Sequence, residues 1–159
     1  MAEHNHNICI EKSTQFAQEL ALSKGKKLTA QRLLVLNILL SDHKAMGAYD
    51  ILDKMRDMHV AGQGKPQPPT VYRALDFLLD LGLIHKVESQ NSFYACMVDR
   101  SQDEHHLAQA FICDACGHVD EKIARRGAQN LFEKAASFGF KIDKVIVECR
   151  GICATCQAI

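Results

Sequence analysis

The apolar residues at the start of the chain predict two helices separated by a short basic loop. From Ile10 to about Lys24 the apolar residues recur at helical spacing, and Gly25 follows as a stop signal. Thr29 is then a capping residue for a second run, in which leucine, valine and isoleucine cover every face of a helix. We therefore expect the second helix at the centre of the first core.

Two further amphipathic stretches and a pair of short strands complete the first half of the chain. Residues 48–60 and 70–81 have the periodicity of helices, and the stretch 61–69 between them is a loop by its glycines and prolines. Residues 83–88 and 92–97 flank a Ser-Gln-Asn turn and predict a β-hairpin. Helices followed by such a hairpin indicate a winged helix-turn-helix.

The second half of the chain changes to a mixed pattern. A polar, acidic segment at 98–104 predicts a hinge between domains. Strands are expected at 107–112, 119–123 and 141–149, with a helix at 127–138. This order of elements predicts an α/β arrangement for the second half.

The predicted fold class is therefore α+β, with an N-terminal winged helix-turn-helix domain at 1–97 and a small α/β domain at 105–159. Domains of this size bury too little surface to be stable on their own. We therefore expect a metal, a disulfide or a partner subunit to stabilise them.

The charge composition restricts how this chain could bind nucleic acid. The 19 basic and 19 acidic residues balance, whereas a typical nucleic-acid binder has a basic bias. Any DNA binding must depend on a local surface such as Lys24, Lys26, Lys27 and Arg32, and it should be sensitive to salt.

The helix predicted at 70–81 is the candidate for reading DNA. Its apolar stripe leaves Tyr72, Arg73 and Asp76 facing outward. Arginine pairs well with the acceptors of guanine, so Arg73 is the candidate for contacting a purine edge. A phosphate contact of Arg73 is the alternative, because half or more of protein–DNA hydrogen bonds go to the backbone.

No feature of the sequence indicates a membrane or an export signal. No apolar run reaches about 18 residues, and the stretch from Met1 to Ile10 is polar. We therefore expect a cytoplasmic protein without a membrane partner. In a reducing compartment, Cys-x-x-Cys pairs indicate metal before disulfide.

Four of the seven cysteines form two such pairs, Cys113/Cys116 and Cys153/Cys156. Two thiolates separated by two residues can bind one ion, because a tight turn brings both sulfurs to the same side. Two pairs complete the tetrahedral shell of a structural Zn²⁺, which would contribute folding free energy directly. Thioredoxin-like redox chemistry at one pair is the alternative.

Cys149 and a dispersed set of four residues are also candidate metal ligands, and each has an alternative interpretation. Cys149 follows the apolar run 145–147, which predicts a cysteine buried in a strand, although it could also join Cys153 and Cys156 as a different trio of ligands. A second, dispersed set that could bind a metal comprises His85, Cys96, His106 and Glu121. Each of these is also consistent with an ordinary surface or strand residue, and spacing alone does not select them.

Several motifs together resemble the ferric uptake regulator family, and the resemblance covers nearly the whole chain. They include Leu-Thr-Ala-Gln-Arg at 28–32, Ala-Tyr-Asp at 48–50 and both Cys-x-x-Cys pairs. The most specific motifs are Val-Tyr-Arg-Ala-Leu at 71–75 and Phe-Ile-Cys-Asp-Ala-Cys-Gly at 111–117. The family's His-rich run is reduced here to His105-His106, which favours its zinc-responsive branch.

The resemblance implies a homodimeric repressor with a C-terminal dimerisation domain and two zinc ions per chain. It assigns the structural zinc to the two Cys-x-x-Cys pairs and a regulatory zinc to His85, Cys96, His106 and Glu121, with His105 as an alternative to His106. The family's DNA-facing tyrosines correspond to Tyr49 and Tyr72. The expected DNA-binding residues are Thr70, Tyr72, Arg73, Tyr49, Lys27 and Arg32.

We therefore expect a zinc-responsive transcriptional repressor that binds double-stranded operator DNA as a dimer when its regulatory site is filled, and controls zinc uptake genes. Two dimers on one operator are a further expectation, and no small-molecule substrate is expected. An iron, manganese or peroxide sensor of the same family is the alternative. An enzyme, either a thiol oxidoreductase at Cys113/Cys116 or a zinc hydrolase at the dispersed site, is disfavoured because four protein ligands leave no open position for water.

Overall fold

The computed structural model describes residues 6–42, 44–58, 65–96, 108–123, 125–142 and 145–158, and the chain divides into two compact units, Met1–Cys96 and Met97–Ile159. The elements of the first unit are α1 His6–Ser23, α2 Ala30–Asp42, β1 Met46–Gly47, α3 Ala48–Asp57, α4 Pro68–Asp80, β2 Ile84–Val87 and β3 Ser92–Ala95. Those of the second are β4 Ala108–Cys113, β5 Val119–Ile123, α5 Arg125–Ser137, β6 Val147–Gly151 and α6 Ala154–Gln157. The predicted α+β class is confirmed.

Helix α2 lies at the centre of the first unit, as its all-round apolar pattern predicts. It contacts α1, α3, α4 and β3, and Leu36, Ile38 and Leu39 are almost fully buried within it. The hydroxyl of Thr29 accepts a long hydrogen bond from the amide of Arg32 at 3.5 Å, which is the pattern of a helix cap. The core is therefore built around α2.

Glycines end α1 and α4 at the two predicted positions. Gly25 and Gly82 have φ angles of 64° and 68°, a conformation that other residues adopt at a cost. After α1, the amide of Lys26 donates to the carbonyl of Ala21 at 2.8 Å, and Leu83 makes the corresponding bond to Leu78 after α4 at 2.9 Å. These bonds satisfy the last carbonyls of each helix and fix the direction of the following segment.

Helices α1 and α4 and strand β1 differ from the sequence expectation, and α1 begins at His6, before the predicted start at Ile10. Helix α4 begins at Pro68, inside the stretch predicted as a loop, because proline is tolerated in a first helical turn where its missing amide would have no helical partner. Strand β1 has only two residues, too few for a periodic signal, and it pairs with β3. Within the described residues the wing is a sheet in the order β1-β3-β2.

The described strands of the second unit form a sheet in the order β5-β4-β6. Strand β4 pairs antiparallel with β5 and parallel with β6. Strand β5 has the predicted bounds, but the last strand is at 147–151, so the prediction of 141–149 is wrong in its first half. The short helix α6 was not predicted, and the predicted hinge at 98–104 lies outside the described residues.

Within the described residues, no helix combines the length and the hydropathy needed to cross a membrane.

Candidate metal centre

The first Cys-x-x-Cys pair lies at the turn between β4 and β5. The amide of Gly117 donates to the carbonyl of Cys113 at 2.9 Å, and the amide of Cys113 donates to the carbonyl of His118 at 2.9 Å. Gly117 has a φ of +72°, so the tight turn depends on a glycine at this position. The turn places Cys113 and Cys116 close together at the end of the strand.

The second pair reaches the same place because β6 runs parallel to β4. The register sets Cys113 opposite Gly151, and Cys153 follows two residues later as the residue that precedes α6. The amide of Cys153 donates to the sulfur of Cys113 at 3.3 Å, and Cys156 lies within α6. Parallel pairing therefore joins two motifs that are distant in sequence.

The four sulfur atoms of Cys113, Cys116, Cys153 and Cys156 all lie within 4.8 Å of one another. The sulfurs of Cys116 and Cys153 are 3.9 Å apart. In a tetrahedral site with Zn–S bonds of about 2.3 Å, neighbouring sulfurs are about 3.8 Å apart. Cys113 is buried and the other three are half-buried, so the cluster fits a structural zinc ion.

The surrounding hydrogen bonds divide the thiols by their acidity. The amide of Cys153, followed by that of Cys116, lowers the pKa of Cys113 from 9.0 to about 6. Hydrogen bonds from the thiol of Cys156 to the sulfurs of Cys153 and Cys116, together with burial, raise its pKa to about 12. Cys113 can thus ionise near neutral pH without a metal, whereas a cation is needed before Cys156 ionises.

An ion pair that the sequence analysis missed connects the two halves of this cluster. Arg150 of β6 donates from Nε and Nη2 to the same carboxylate oxygen of Asp114, at 2.9 and 2.6 Å. The amide of Asp114 also donates to the carbonyl of Gly151 at 2.8 Å. The sequence shows an aspartate between the two cysteines of the first pair, which suggests an ion pair there. It does not identify the partner of this aspartate, which is 36 residues away.

The prediction that Cys149 is a buried strand cysteine is wrong. Cys149 lies in β6, yet its side chain is exposed, and it is not one of the four clustered sulfurs. Strand β6 pairs with β4 on one side only within the described sheet, so apolar neighbours in sequence do not ensure burial. The alternative trio of Cys149, Cys153 and Cys156 is not assembled.

Two of the dispersed candidates lie close together in the wing of the first unit. His85 lies in β2 opposite Tyr94, and Cys96 follows β3, where its amide donates to the carbonyl of Leu83 at 3.0 Å. Positions 94 and 96 are on the same face of the strand, so His85 and Cys96 are diagonal neighbours. A ring nitrogen of His85 and the sulfur of Cys96 lie within 4.8 Å, and both residues are half-buried.

The other dispersed candidates belong to the second unit. Glu121 is in the middle of β5 and is buried, whereas its neighbours Asp120 and Lys122 are exposed. A buried carboxylate requires a compensating hydrogen bond, charge or metal. His105 and His106 lie outside the described residues.

The residues predicted to face DNA are on or near the surface of the first unit. In α4, Tyr72, Arg73 and Asp76 are exposed as predicted, and Thr70 is half-buried. Tyr49, in the first turn of α3, has 65% of its surface exposed. Lys27 is exposed, whereas Arg32 is half-buried.

Comparison with known proteins identifies the family. Residues 23–150 match the sequence profile described as the ferric uptake regulator family. The chain belongs to this family. The zinc uptake regulation protein of Escherichia coli (strain K12) is 39% identical over 144 residues, which cover 90% of this chain and 80% of that protein.

Solved structures of family members have the same fold. A zinc uptake regulator complexed with zinc and DNA has a TM-score of 0.83 and 38% identity, covering 94% of this chain and 95% of its own. Holo XcZur has a TM-score of 0.78 and 34% identity, covering 92% of this chain and 97% of its own. Because the family consists of transcription regulators, we set aside the two enzyme alternatives.

Proposed function

We propose that this chain is a zinc-responsive transcriptional repressor that binds operator DNA as a dimer and controls zinc uptake genes in the cytoplasm. The observation that carries the proposal is the four-sulfur cluster, together with a histidine and a cysteine paired in the wing of a winged-helix unit. The similarity to a zinc uptake regulation protein supports zinc as the metal. Iron and manganese are less favoured, because thiolate ligands suit zinc better than manganese and the wing cysteine is not required by an iron site.

In this proposal the first zinc is structural and is held by Cys113, Cys116, Cys153 and Cys156. It would connect the end of β4 to the segment after β6. The amide of Cys153, which donates to the sulfur of Cys113, and the Arg150–Asp114 ion pair orient the ligands from outside the metal shell.

The second zinc is proposed to be regulatory, with His85, Cys96, His106 and Glu121 as ligands, which makes two zinc ions per chain. Support comes from the proximity of His85 and Cys96 and from the burial of Glu121. Two imidazoles, one thiolate and one carboxylate form a donor set that suits zinc and leaves no vacant position for a reacting water.

We propose that zinc binding controls DNA binding by changing the geometry of the protein and not its charge. Filling this site changes the local charge by about one unit, because a zinc ion brings two positive charges and its binding to a cysteine releases one proton. One unit is too little to govern an interface with several phosphates. A zinc ion bound by both units would instead fix the spacing of the two recognition helices in a dimer, which must match the pitch of DNA.

The proposed DNA interface consists of the outer face of α4, the basic loop at residues 24–29, the start of α2 and the first turn of α3. Arg73 is the candidate for a base contact, and Thr70, Tyr72, Tyr49, Lys27 and Arg32 complete the interface. The DNA-bound zinc uptake regulator among the similar structures supports a DNA partner.

The second unit is proposed to form the dimer. Its described residues expose several large apolar side chains, which is typical of a surface covered by a partner. They include Phe111, Leu131, Phe132, Phe138, Phe140, Ile146 and Ile152. Two dimers on one operator are a further part of the proposal, and no small-molecule substrate is included.

The test is a DNA-binding titration at buffered free zinc, using a duplex selected from a random library by the zinc-loaded chain. Wild-type protein is expected to bind the duplex only as zinc rises, with two zinc ions per chain. Cys96→Ser should lose zinc-dependent binding and retain one zinc, whereas Cys149→Ser should behave as wild type. Wild-type DNA binding by Cys96→Ser would show that the regulatory site is assigned wrongly.

A further inference from the structure

One side chain at the start of α2 contacts both the basic loop and the recognition helix α4. The guanidinium carbon of Arg32 lies 3.6 Å from the ring centroid of Phe77, a residue of α4. The same guanidinium donates from Nη1 to the backbone carbonyl of Lys27 at 2.6 Å. Arg32 is half-buried in this position, so its planar group fills a gap between loop and helix.

A second contact fixes the same loop to the end of the same helix. The ammonium of Lys26 forms an ion pair with the carboxylate of Asp80, the last residue of α4. The hydrogen bond from Lys26 holds the pKa of Asp80 below its ordinary value. On its other side the loop is held by the Gly25 turn that ends α1. Its backbone is therefore held at several points.

These contacts determine which cation of the loop is available to a phosphate. The charge of Lys26 is balanced by Asp80, which also attracts the charge of Lys24, and Arg32 is stacked on Phe77. Lys27 is exposed, and its ammonium forms no ion pair with any residue in the described part of the chain. Lys27 can therefore contact a phosphate without first giving up another partner.

Phe77, on which Arg32 stacks, also lies near Arg73, the residue proposed to contact a base. Phe77 follows Arg73 by four residues, so both lie on the same face of α4, one turn apart. Arg32 contacts the ring of Phe77 and holds the carbonyl of Lys27 at the same time. Lys27 and Arg73 are thus connected through a short chain of contacts.

We propose that Arg32 is a positioning residue for DNA recognition, which fixes Lys27 relative to α4 by stacking on Phe77 and binding the Lys27 carbonyl. A loop fixed before binding loses less conformational entropy when its lysine meets a phosphate while Arg73 meets a base. This inference rests on the proposed DNA-binding function and assigns Arg32 a role within it.

The test uses three substitutions in the full-length, zinc-loaded chain. Arg32→Lys keeps the charge but loses the planar stack and the forked donor, whereas Phe77→Leu removes the ring and leaves every charge in place. Lys27→Gln removes the proposed phosphate contact. Phe16→Leu is the control, because Phe16 is a partly exposed phenylalanine in α1.

Affinity for the selected duplex is measured over a range of salt concentrations. Arg32→Lys and Phe77→Leu are each expected to weaken binding on the order of tenfold, the scale of a cation–π contact. Combining them should weaken it no further. Each should also reduce the salt slope by about one phosphate contact, as Lys27→Gln does, and Phe77→Leu should have little further effect in a Lys27→Gln chain.

Three results would overturn the proposal. If Phe77→Leu leaves affinity unchanged, Arg32 does not act through the ring. If Phe77→Leu weakens binding equally with and without Lys27, the ring has a general structural role, which a lowered unfolding temperature would accompany. If the wild-type chain itself selects no duplex at any zinc concentration, the proposed function fails, and the role of Arg32 fails with it.

Discussion

Replacing Cys116 by serine tests the four-sulfur cluster most directly. Cys116 supplies one of the four sulfurs, and a serine hydroxyl neither ionises at neutral pH nor binds zinc comparably. A structural zinc contributes on the order of 10 to 16 kcal/mol in small domains. An equal share for each of four ligands is about 3 kcal/mol, or roughly a hundredfold in zinc affinity.

The loss of about 3 kcal/mol of zinc-binding free energy is large for the second unit, because its described residues bury few large apolar side chains. The buried hydrophobic residues of this unit are Ala110, Ile112, Cys113, Val119 and Ala135. Only Ile112 and Val119 are large aliphatic residues, each contributing about 1.5 to 3 kcal/mol. The free energy lost with one zinc ligand is therefore about as large as the free energy gained by burying one of these two side chains.

The assay combines metal retention with hydrogen exchange. During dialysis against increasing chelator, Cys116→Ser should release zinc at roughly a hundredfold lower chelator activity than wild type. Amide protection in β4 should then fall while that in α2 is retained. Cys149→Ser is the matched control, since its thiol is exposed and outside the cluster. Wild-type zinc retention by Cys116→Ser, or equal zinc loss by Cys149→Ser, would refute the reasoning.

Two further predictions concern the same cluster. Because the pKa of Cys113 is lowered to about 6, zinc binding should release one fewer proton above pH 6 than below it, as measured by calorimetry in buffers of different ionisation enthalpy. Cys113→Ser should lack that step, and a step of the same size near pH 6 in Cys113→Ser would contradict the prediction. Gly117→Ala should destabilise the zinc-loaded unit by about 1 to 2 kcal/mol, because a side chain is strained at positive φ although no atom lies within 4 Å of the added carbon. Gly151→Ala, which has open space and no positive φ, should leave thermal unfolding unchanged, and equal effects of the two would count against strain at Gly117.

Local signals in the sequence were sufficient where one segment determines its own structure. The apolar run after Thr29 predicted a helix buried on most sides, because periodicity specifies which faces must leave water. Gly25 and Gly82 predicted the ends of α1 and α4, since few other residues adopt the required φ. The spacing of each Cys-x-x-Cys pair likewise predicted two sulfurs on one side of a turn.

The same signals failed where the partner of a segment decides its structure. The pattern at 141–149 predicted a strand that begins too early, because the extent of β6 depends on where it pairs with β4. The apolar residues at 145–147 predicted a buried Cys149, whose side chain is exposed. A pattern of apolar residues does not say which neighbour is present to cover them.

The sequence by itself determined the helices of the first unit, the class of the fold and the four cysteines suited to a zinc ion. The tertiary structure decided that Arg150 binds Asp114 and that Arg32 stacks on Phe77 while holding Lys27. The Arg150–Asp114 and Arg32–Phe77 pairs join residues far apart in the chain, and each side chain had several potential partners of suitable chemistry. Only packing selects among them, because it fixes which segments meet and at what register.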